Sequence, residues 1–136
     1  MKFIVFIVLL LVCVVTFVQI SRPSDPAAEL EKAQTTPRGA TRIFSEGAIL
    51  DDMERMKMVS KGRSANFEES FLNTLHYMEN EVDMQAGKFS TMGMGAGGES
   101  LKVFFYTEED DLLGSFTYIL KEDESGKWWV IQASMD

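Results

Sequence analysis

The sequence predicts an α+β fold in which one N-terminal transmembrane helix precedes two helices packed on a curved antiparallel meander of three to four strands. Residues 1–20 are almost entirely apolar, apolar residues then recur at three- and four-residue spacing, and residues 101–136 alternate in hydropathy between short turns. Helices followed by consecutive strands are typical of an α+β layer fold. We therefore expect a transmembrane signal-anchor at 1–20, a flexible linker at 21–42 and a soluble α+β domain at 43–136.

The apolar run at residues 3–20 is interrupted only by Thr16 and Gln19. A helix of this length spans about 27 Å, close to the hydrocarbon thickness of a bilayer. A cleaved secretory signal is the alternative, but the run is longer than the usual hydrophobic region and no Ala-x-Ala-like site follows it closely. We expect a single-pass protein that contacts the membrane through residues 3–20. The likeness to an export signal favours an extracytoplasmic domain, in a bacterium on the periplasmic side of the inner membrane.

Two helices are predicted after the anchor. All three prolines lie within residues 21–42, which favours a linker there. The first helix is predicted from Glu46, with Ser45 as its N-cap and Gly62 as its stop. Its apolar face consists of Ile49, Leu50, Met53, Met56 and Val59.

The second helix is predicted from Asn66, the N-cap, to Gly87. Its core-facing residues are Phe67, Phe71, Leu72, Leu75, Met78 and Val82.

The rest of the chain alternates as half-buried strands do. The predicted strands are Leu101–Thr107, Leu113–Glu122 and Lys127–Met135, with a further one around Lys88–Met92. An acidic turn at 108–111 separates the first two, and Gly126 supplies the permissive backbone that the last hairpin turn needs.

The predicted sheet is apolar on both faces, because Phe104 and Tyr106 alternate with Val103 and Phe105. A single helical layer covers only one of these faces. The second is expected to meet a partner or to curl around a pocket. The residues predicted for this interaction or pocket face are Phe104, Tyr106, Phe116, Tyr118, Trp128 and Trp129.

The segments 114–123 and 126–131 resemble the nuclear transport factor 2-like (cone-shaped, cystatin-like) superfamily. Many of its bacterial members end with an apolar strand, an acidic turn containing Gly, then Gly-Lys-Trp and a final alternating strand. The resemblance covers residues 46–136 and implies a cone-shaped sheet, although the Gly-rich residues 87–98 occupy the place of its third helix and first strand. The superfamily includes enzymes, transport factors and accessory domains, so fold alone implies no activity. No catalytic residue of its enzymes matches a position here.

Charge argues against nucleic-acid binding. Residues 64–136 contain four lysines against fourteen carboxylates, a net charge of −10. Such a surface repels phosphate backbones, and no basic patch offers an alternative site.

No motif predicts a catalytic, cofactor or metal site. The string at 93–98 fits G-x-G-x-x-G, but a strand follows it where a dinucleotide site needs a helix. Met92 and Met94 with His76 could suggest a Cu(I) site, but methionine more often fills a core or surface gap. The turn at 108–111 lacks the alternating oxygen ligands of a calcium loop. We expect no enzyme, no cofactor and no metal.

Two functional hypotheses remain. The first is a membrane-anchored, non-catalytic interaction module, an accessory subunit that docks on a protein partner in a larger membrane or envelope assembly. The alternative is a cone-shaped domain that binds a small ligand, or acts on one. Its aromatic pocket would be lined by Phe71, Phe105, Phe116, Tyr118 and Trp129.

Overall fold

The computed structural model describes residues 26–62, 64–94 and 99–136. In these residues four helices precede four strands, which confirms the α+β class. The helices are α1 (Pro26–Ala33), α2 (Pro37–Ile49), α3 (Met53–Lys57) and α4 (Phe67–Val82), and the strands are β1 (Ala86–Met94), β2 (Ser100–Thr107), β3 (Leu112–Glu122) and β4 (Trp128–Met135). The strands form one antiparallel sheet in the order β1-β2-β3-β4.

The predicted transmembrane segment 1–20 lies outside the described residues. No helix within the described ranges is both long enough and apolar enough to span a bilayer.

Residues 26–33 and 37–42 are helical, which differs from the flexible linker expected at 21–42, and residues 21–25 of that segment lie outside the described residues. Thr36 caps α2, since its side chain accepts a 3.0 Å hydrogen bond from the Gly39 backbone N–H. Pro37 occupies the first helical position, where its missing N–H costs nothing. Ala33 and Ala40 are buried, so this segment contributes to the core.

The single helix predicted from Glu46 to Gly62 is instead two helices. α2 begins nine residues earlier, and the chain turns after Ile49, where Asp51 has a φ of 56°. The Asp52 side chain then accepts a 3.2 Å hydrogen bond from the Arg55 N–H and caps α3. Leu50, predicted on the core face, falls in this turn and is 69% exposed. The second half of the predicted apolar face does contribute to the core, because Met56 and Val59 are buried.

The long helix α4 follows Asn66 as predicted, although the Asn66 side chain makes no capping hydrogen bond. It ends at Val82 rather than at Gly87, because Asp83 adopts the left-handed conformation with φ 52°. Phe71, Leu72 and Leu75 face the core.

The helices pack on one face of the sheet, here called the inner face. β2 alternates strictly between buried and half-buried residues, as a strand with one face in the core should. The inner face carries Leu101, Val103, Phe105, Phe116, Tyr118, Leu120 and Val130, each at most 2% exposed. The predicted strand positions agree to within two residues at each end, and Gly126 has the positive φ expected of its turn, 86°.

Candidate interaction surface

The sheet divides the six aromatic residues predicted for one face between two faces. Phe116 and Tyr118 point into the core and are 1% and 0% exposed. Phe104, Tyr106 and Trp129 belong to the opposite, outer face and are half-buried.

Trp128 is neither a core residue nor an outer-face residue, since it is only partly buried where it packs against the core. Its backbone N–H donates to the Gln34 carbonyl at 2.8 Å. This bond attaches the start of β4 to the residue that follows α1.

The rings predicted to line a ligand pocket fill the space between the helices and the sheet. The ring centroids of Phe71 and Phe116 lie 4.5 Å apart, and those of Phe105 and Phe116 lie 5.6 Å apart. Tyr118 contacts Phe71 edge-on at 5.7 Å. Trp129 lies on the other side of the sheet. These five residues therefore form part of a packed core and part of an outer surface, and they share no cavity.

The outer face is not covered by any helix in the described parts of the chain. Strand pairing fixes its composition, because residues paired across antiparallel strands point to the same side. Ser90 pairs with Phe104 and Phe104 with Ser115, while Lys121 pairs with Trp129. None of these side chains is fully buried.

One end of the outer face carries four large apolar or aromatic side chains that we call the outer patch: Met92, Phe104, Tyr106 and Leu112. Met92 is 51% and Leu112 58% exposed. The Ser90 hydroxyl donates to the Tyr106 hydroxyl at 3.3 Å, which helps to hold that ring on the surface. Exposed apolar clusters of this kind, rimmed by polar groups, mark interaction sites more often than isolated apolar residues do.

A polar cluster occupies the middle of the outer face. The Asp136 carboxylate accepts hydrogen bonds from the Thr117 hydroxyl at 2.6 Å and the Ser115 hydroxyl at 2.9 Å, and it pairs with the Lys102 ammonium at 3.5 Å. The Thr117 hydrogen bond, then the Ser115 bond and the Lys102 charge, hold the pKa of Asp136 below its usual range. This cluster separates the outer patch from Trp129.

Trp129 is held at the opposite end of the outer face. Its indole Nε1–H donates to Asp123 Oδ2 at 2.9 Å, and the Lys61 ammonium lies 3.9 Å from the ring centroid. Six positions along β3 and two strand spacings separate it from Phe104, a distance of about 20 Å. The aromatic residues predicted for one face are therefore divided between the core and two separate regions of the outer face.

The β3–β4 turn positions Trp129 through the Asp123 carboxylate. Asp123 Oδ1 accepts from the Ser125 hydroxyl at 2.6 Å, the Ser125 N–H at 2.8 Å and the Lys127 N–H at 3.0 Å. These bonds, led by the Ser125 hydroxyl and the Trp129 indole, hold the pKa of Asp123 far below its usual range.

A groove of about 310 Å³ runs beside the Trp129 ring. We call it, with Trp129 itself, the Trp129 site. It is lined by Lys61, Lys121, Glu122, Asp123, Glu124, Trp129 and Ile131.

Neither Lys61 nor Asp123 was predicted from the sequence to belong to this surface. Asp123 followed by Ser125 is a spacing at which an Asp side chain often bonds to the backbone two residues on, so this signal was present. Lys61 carries no such signal, because only the tertiary fold brings it over Trp129.

Met92 and His76, two of the residues considered for a copper site, do not come together. Met92 lies on the outer face, whereas His76 belongs to α4 on the inner side and its Nε2 lies 3.3 Å from Asp51 Oδ1. Across the ranges 26–62, 64–94 and 99–136, no three His, Cys, Asp or Glu side chains are grouped as metal ligands would be. The turn at 108–111 is tied back to β1 by a 2.9 Å ion pair between Lys88 and Asp110.

Comparison with known protein families gives no match, and comparison with curated proteins gives none either. The resemblance to nuclear transport factor 2-like domains therefore stays a prediction.

Proposed function

We propose that the protein is a membrane-anchored, non-catalytic interaction module, an accessory subunit that docks on a protein of a larger membrane or envelope assembly. The observation that carries the proposal is the outer patch. It places Phe104 and Tyr106 on a sheet face that the described helices leave uncovered. Met92 and Leu112, each more than half exposed, lie on the same face.

The chemistry of the outer patch suits the centre of a protein interface. Aromatic residues and Met are enriched in such centres, and a few large side chains usually supply most of the binding energy. Tyr106 can bury its ring while its hydroxyl keeps the Ser90 hydrogen bond. A stable interface buries about 800 Å² on each partner, so the neighbouring Lys102, Ser115 and Thr117 would form its polar rim.

The membrane part of the proposal rests on residues 3–20, whose length and composition fit a single transmembrane helix. An extracytoplasmic domain follows from the likeness of this segment to an export signal. The nuclear transport factor 2-like resemblance of residues 114–123 and 126–131 is compatible with an accessory module, since that superfamily includes accessory domains besides enzymes and transport factors.

The test is the size of the complex that the full-length chain forms in native membranes. After mild detergent extraction, the wild type is expected to migrate in a complex larger than its monomer on a blue-native gel. The double variant F104S/Y106S is expected to migrate as the monomer, because it removes the two aromatic side chains of the outer patch without touching the core.

The matched control is Y77S. Tyr77 is 62% exposed on α4, on the opposite side of the domain, so this variant removes an exposed aromatic ring away from the outer patch and should keep the large complex. The proposal is wrong if the wild type migrates only as a monomer, or if F104S/Y106S stays in the complex.

A further inference from the structure

The Trp129 ring is prepared for apolar contact. Its only polar atom, Nε1, already donates to Asp123, so the ring can leave water without an unpaired donor. Lys61 and Asp123 also fix its position on the outer face. The part of the ring that faces the groove beside Ile131 therefore remains for a binding partner.

The groups around this ring suit a surface that carries both signs of charge beside apolar chains, as a zwitterionic phospholipid layer does. The ammonium groups of Lys61 and Lys121 flank the groove, and the carboxylates of Glu122, Asp123 and Glu124 line it as well. The site is thus not basic enough to recruit a free anion. Trp with Lys is the combination that proteins place at the membrane–water interface, where the ring meets the acyl boundary and the amine reaches the headgroups.

The connection to the predicted anchor is short enough for this end of the sheet to reach the bilayer. Only residues 21–25 separate the predicted span from Pro26, and fully extended they reach about 20 Å. The eight residues of α1 add about 12 Å. Gln34 follows directly, and its side-chain and backbone groups bond to Trp128. The start of β4 therefore lies within about 30 Å of the end of the predicted span, measured along this path.

We infer that the Trp129 site lies in the phospholipid headgroup layer, with the Trp129 indole against lipid and the ammonium groups of Lys61 and Lys121 at lipid phosphates. This inference rests on the membrane anchorage that the proposed function includes. It assigns the two sites different tasks. The Trp129 site orients the domain on the bilayer, and the outer patch, about 20 Å along the same face, stays available to a protein.

The experiment uses the full-length chain reconstituted into phosphatidylcholine vesicles, with or without bromine on the lipid acyl chains close to the headgroup. Bromine quenches tryptophan only at contact, and the chain has two tryptophans, Trp128 and Trp129. Flotation of the vesicles first shows whether the chain is anchored. Wild-type fluorescence is expected to fall in brominated vesicles, and W129F is expected to lose most of this quenching while W128F keeps it.

A charge variant gives a second readout that leaves both tryptophans in place. K121E puts a carboxylate against the lipid phosphates. It is expected to reduce the bromine quenching of the two tryptophans relative to the wild type. K88E is the matched control, since Lys88 is an exposed lysine at the other end of the same sheet, and it should leave the quenching unchanged.

The outcomes separate the inference from the proposed function. If the chain floats with the vesicles but bromine does not quench Trp129, the lipid contact is overturned and the anchored interaction module stands. If Trp129 is shielded from a water-soluble quencher in native membranes but not in vesicles, it contacts a protein, which also overturns the lipid contact. A chain that does not float overturns both.

Discussion

The hydroxyl groups of Ser45 and Tyr118 lie 3.0 Å apart in the middle of the core, where both residues are completely buried. Ser45 belongs to α2 and Tyr118 to the middle of β3, so this hydrogen bond joins the helical layer to the sheet. The Tyr118 ring also meets Phe44 edge-on at 5.4 Å. Since a buried hydroxyl without a partner is unfavourable, each of the two hydroxyls is tolerated because of the other.

Removing either hydroxyl is therefore expected to destabilise the domain. Y118F and S45A should each lower the free energy of unfolding by about 1–3 kcal/mol, because each leaves a buried polar atom unpaired. The double variant should lose little more than the worse single variant, since it removes both unpaired groups. Urea unfolding of the full-length chain in mild detergent measures this coupling. Strictly additive losses would show that the hydrogen bond contributes nothing.

Tyr118 also predicts how stability changes at alkaline pH. Burial raises the pKa of its phenol far above the ordinary value, and the Ser45 hydrogen bond only partly opposes this. In the unfolded chain Tyr118 ionises near about pH 10, whereas the folded chain holds its proton. The free energy of unfolding is thus unaffected by Tyr118 ionisation below that pH. Above it, the free energy of unfolding falls by up to about 1.4 kcal/mol per pH unit.

Unfolding curves at several alkaline pH values check this dependence. Y118F should lose less stability than the wild type above the unfolded pKa of tyrosine, because it has no phenol to ionise at this position. Y77F is the control, since it removes a hydroxyl that is exposed, and it should follow the wild type. An alkaline decline in Y118F as steep as that of the wild type would contradict the explanation.

The strands were more predictable than the helix boundaries. Alternation alone placed β2 at Leu101–Thr107, one residue from its observed start. A half-buried strand is recognisable because its apolar and polar residues alternate along the sequence. Pro37 explains why a linker was predicted where a helix begins. Proline suits both a linker and the first position of a helix, and the choice between them depends on whether Ala33 and Ala40 find a surface to pack on.

The candidate surface was predictable only in part, for a related reason. Alternation showed that Phe104 and Tyr106 oppose Val103 and Phe105, but it cannot tell which set the helices cover. The separation of Phe104 from Trp129 depends on strand register, including an irregularity between Ile119 and Leu120. Alternation is a property of a single strand, whereas register relates two strands, so the alternation pattern did not predict it.

Gly39 tests whether α1 and α2 belong to the folded domain. A Cβ atom at this position would lie 1.8 Å from the Ala33 carbonyl oxygen, which is backbone and cannot move aside as a side chain can. G39A is expected to lower the free energy of unfolding by about 3 kcal/mol or more. In contrast, G93A should be close to neutral, because the nearest atom to its new methyl group is 3.7 Å away on the Arg38 side chain.

Thermal unfolding compares the two glycine variants, and limited proteolysis adds a local measurement. In G39A the segment 26–42 should be cut at temperatures at which the wild type and G93A resist. If G39A were as stable as G93A, the close packing of α1 against the start of α2 would be wrong.

Asp123 predicts a loss of stability at acid pH that one conservative substitution should remove. Its hydrogen bonds hold its folded pKa below the unfolded value of about 3.9, so the carboxylate stabilises the fold above that value. This contribution is lost as pH falls through the folded pKa.

The variant D123N tests this contribution, because it keeps one carbonyl oxygen for the turn but cannot accept the Trp129 N–H with a charged oxygen. The wild type should therefore exceed D123N in stability by a constant amount between about pH 7 and pH 4, and the difference should shrink below about pH 4. E124Q removes a carboxylate from the same turn and should show no such trend, and circular dichroism of urea unfolding between about pH 7 and pH 2 measures all three. A difference between wild type and D123N that does not change with pH would mean that the charge of Asp123 has no part in holding the turn.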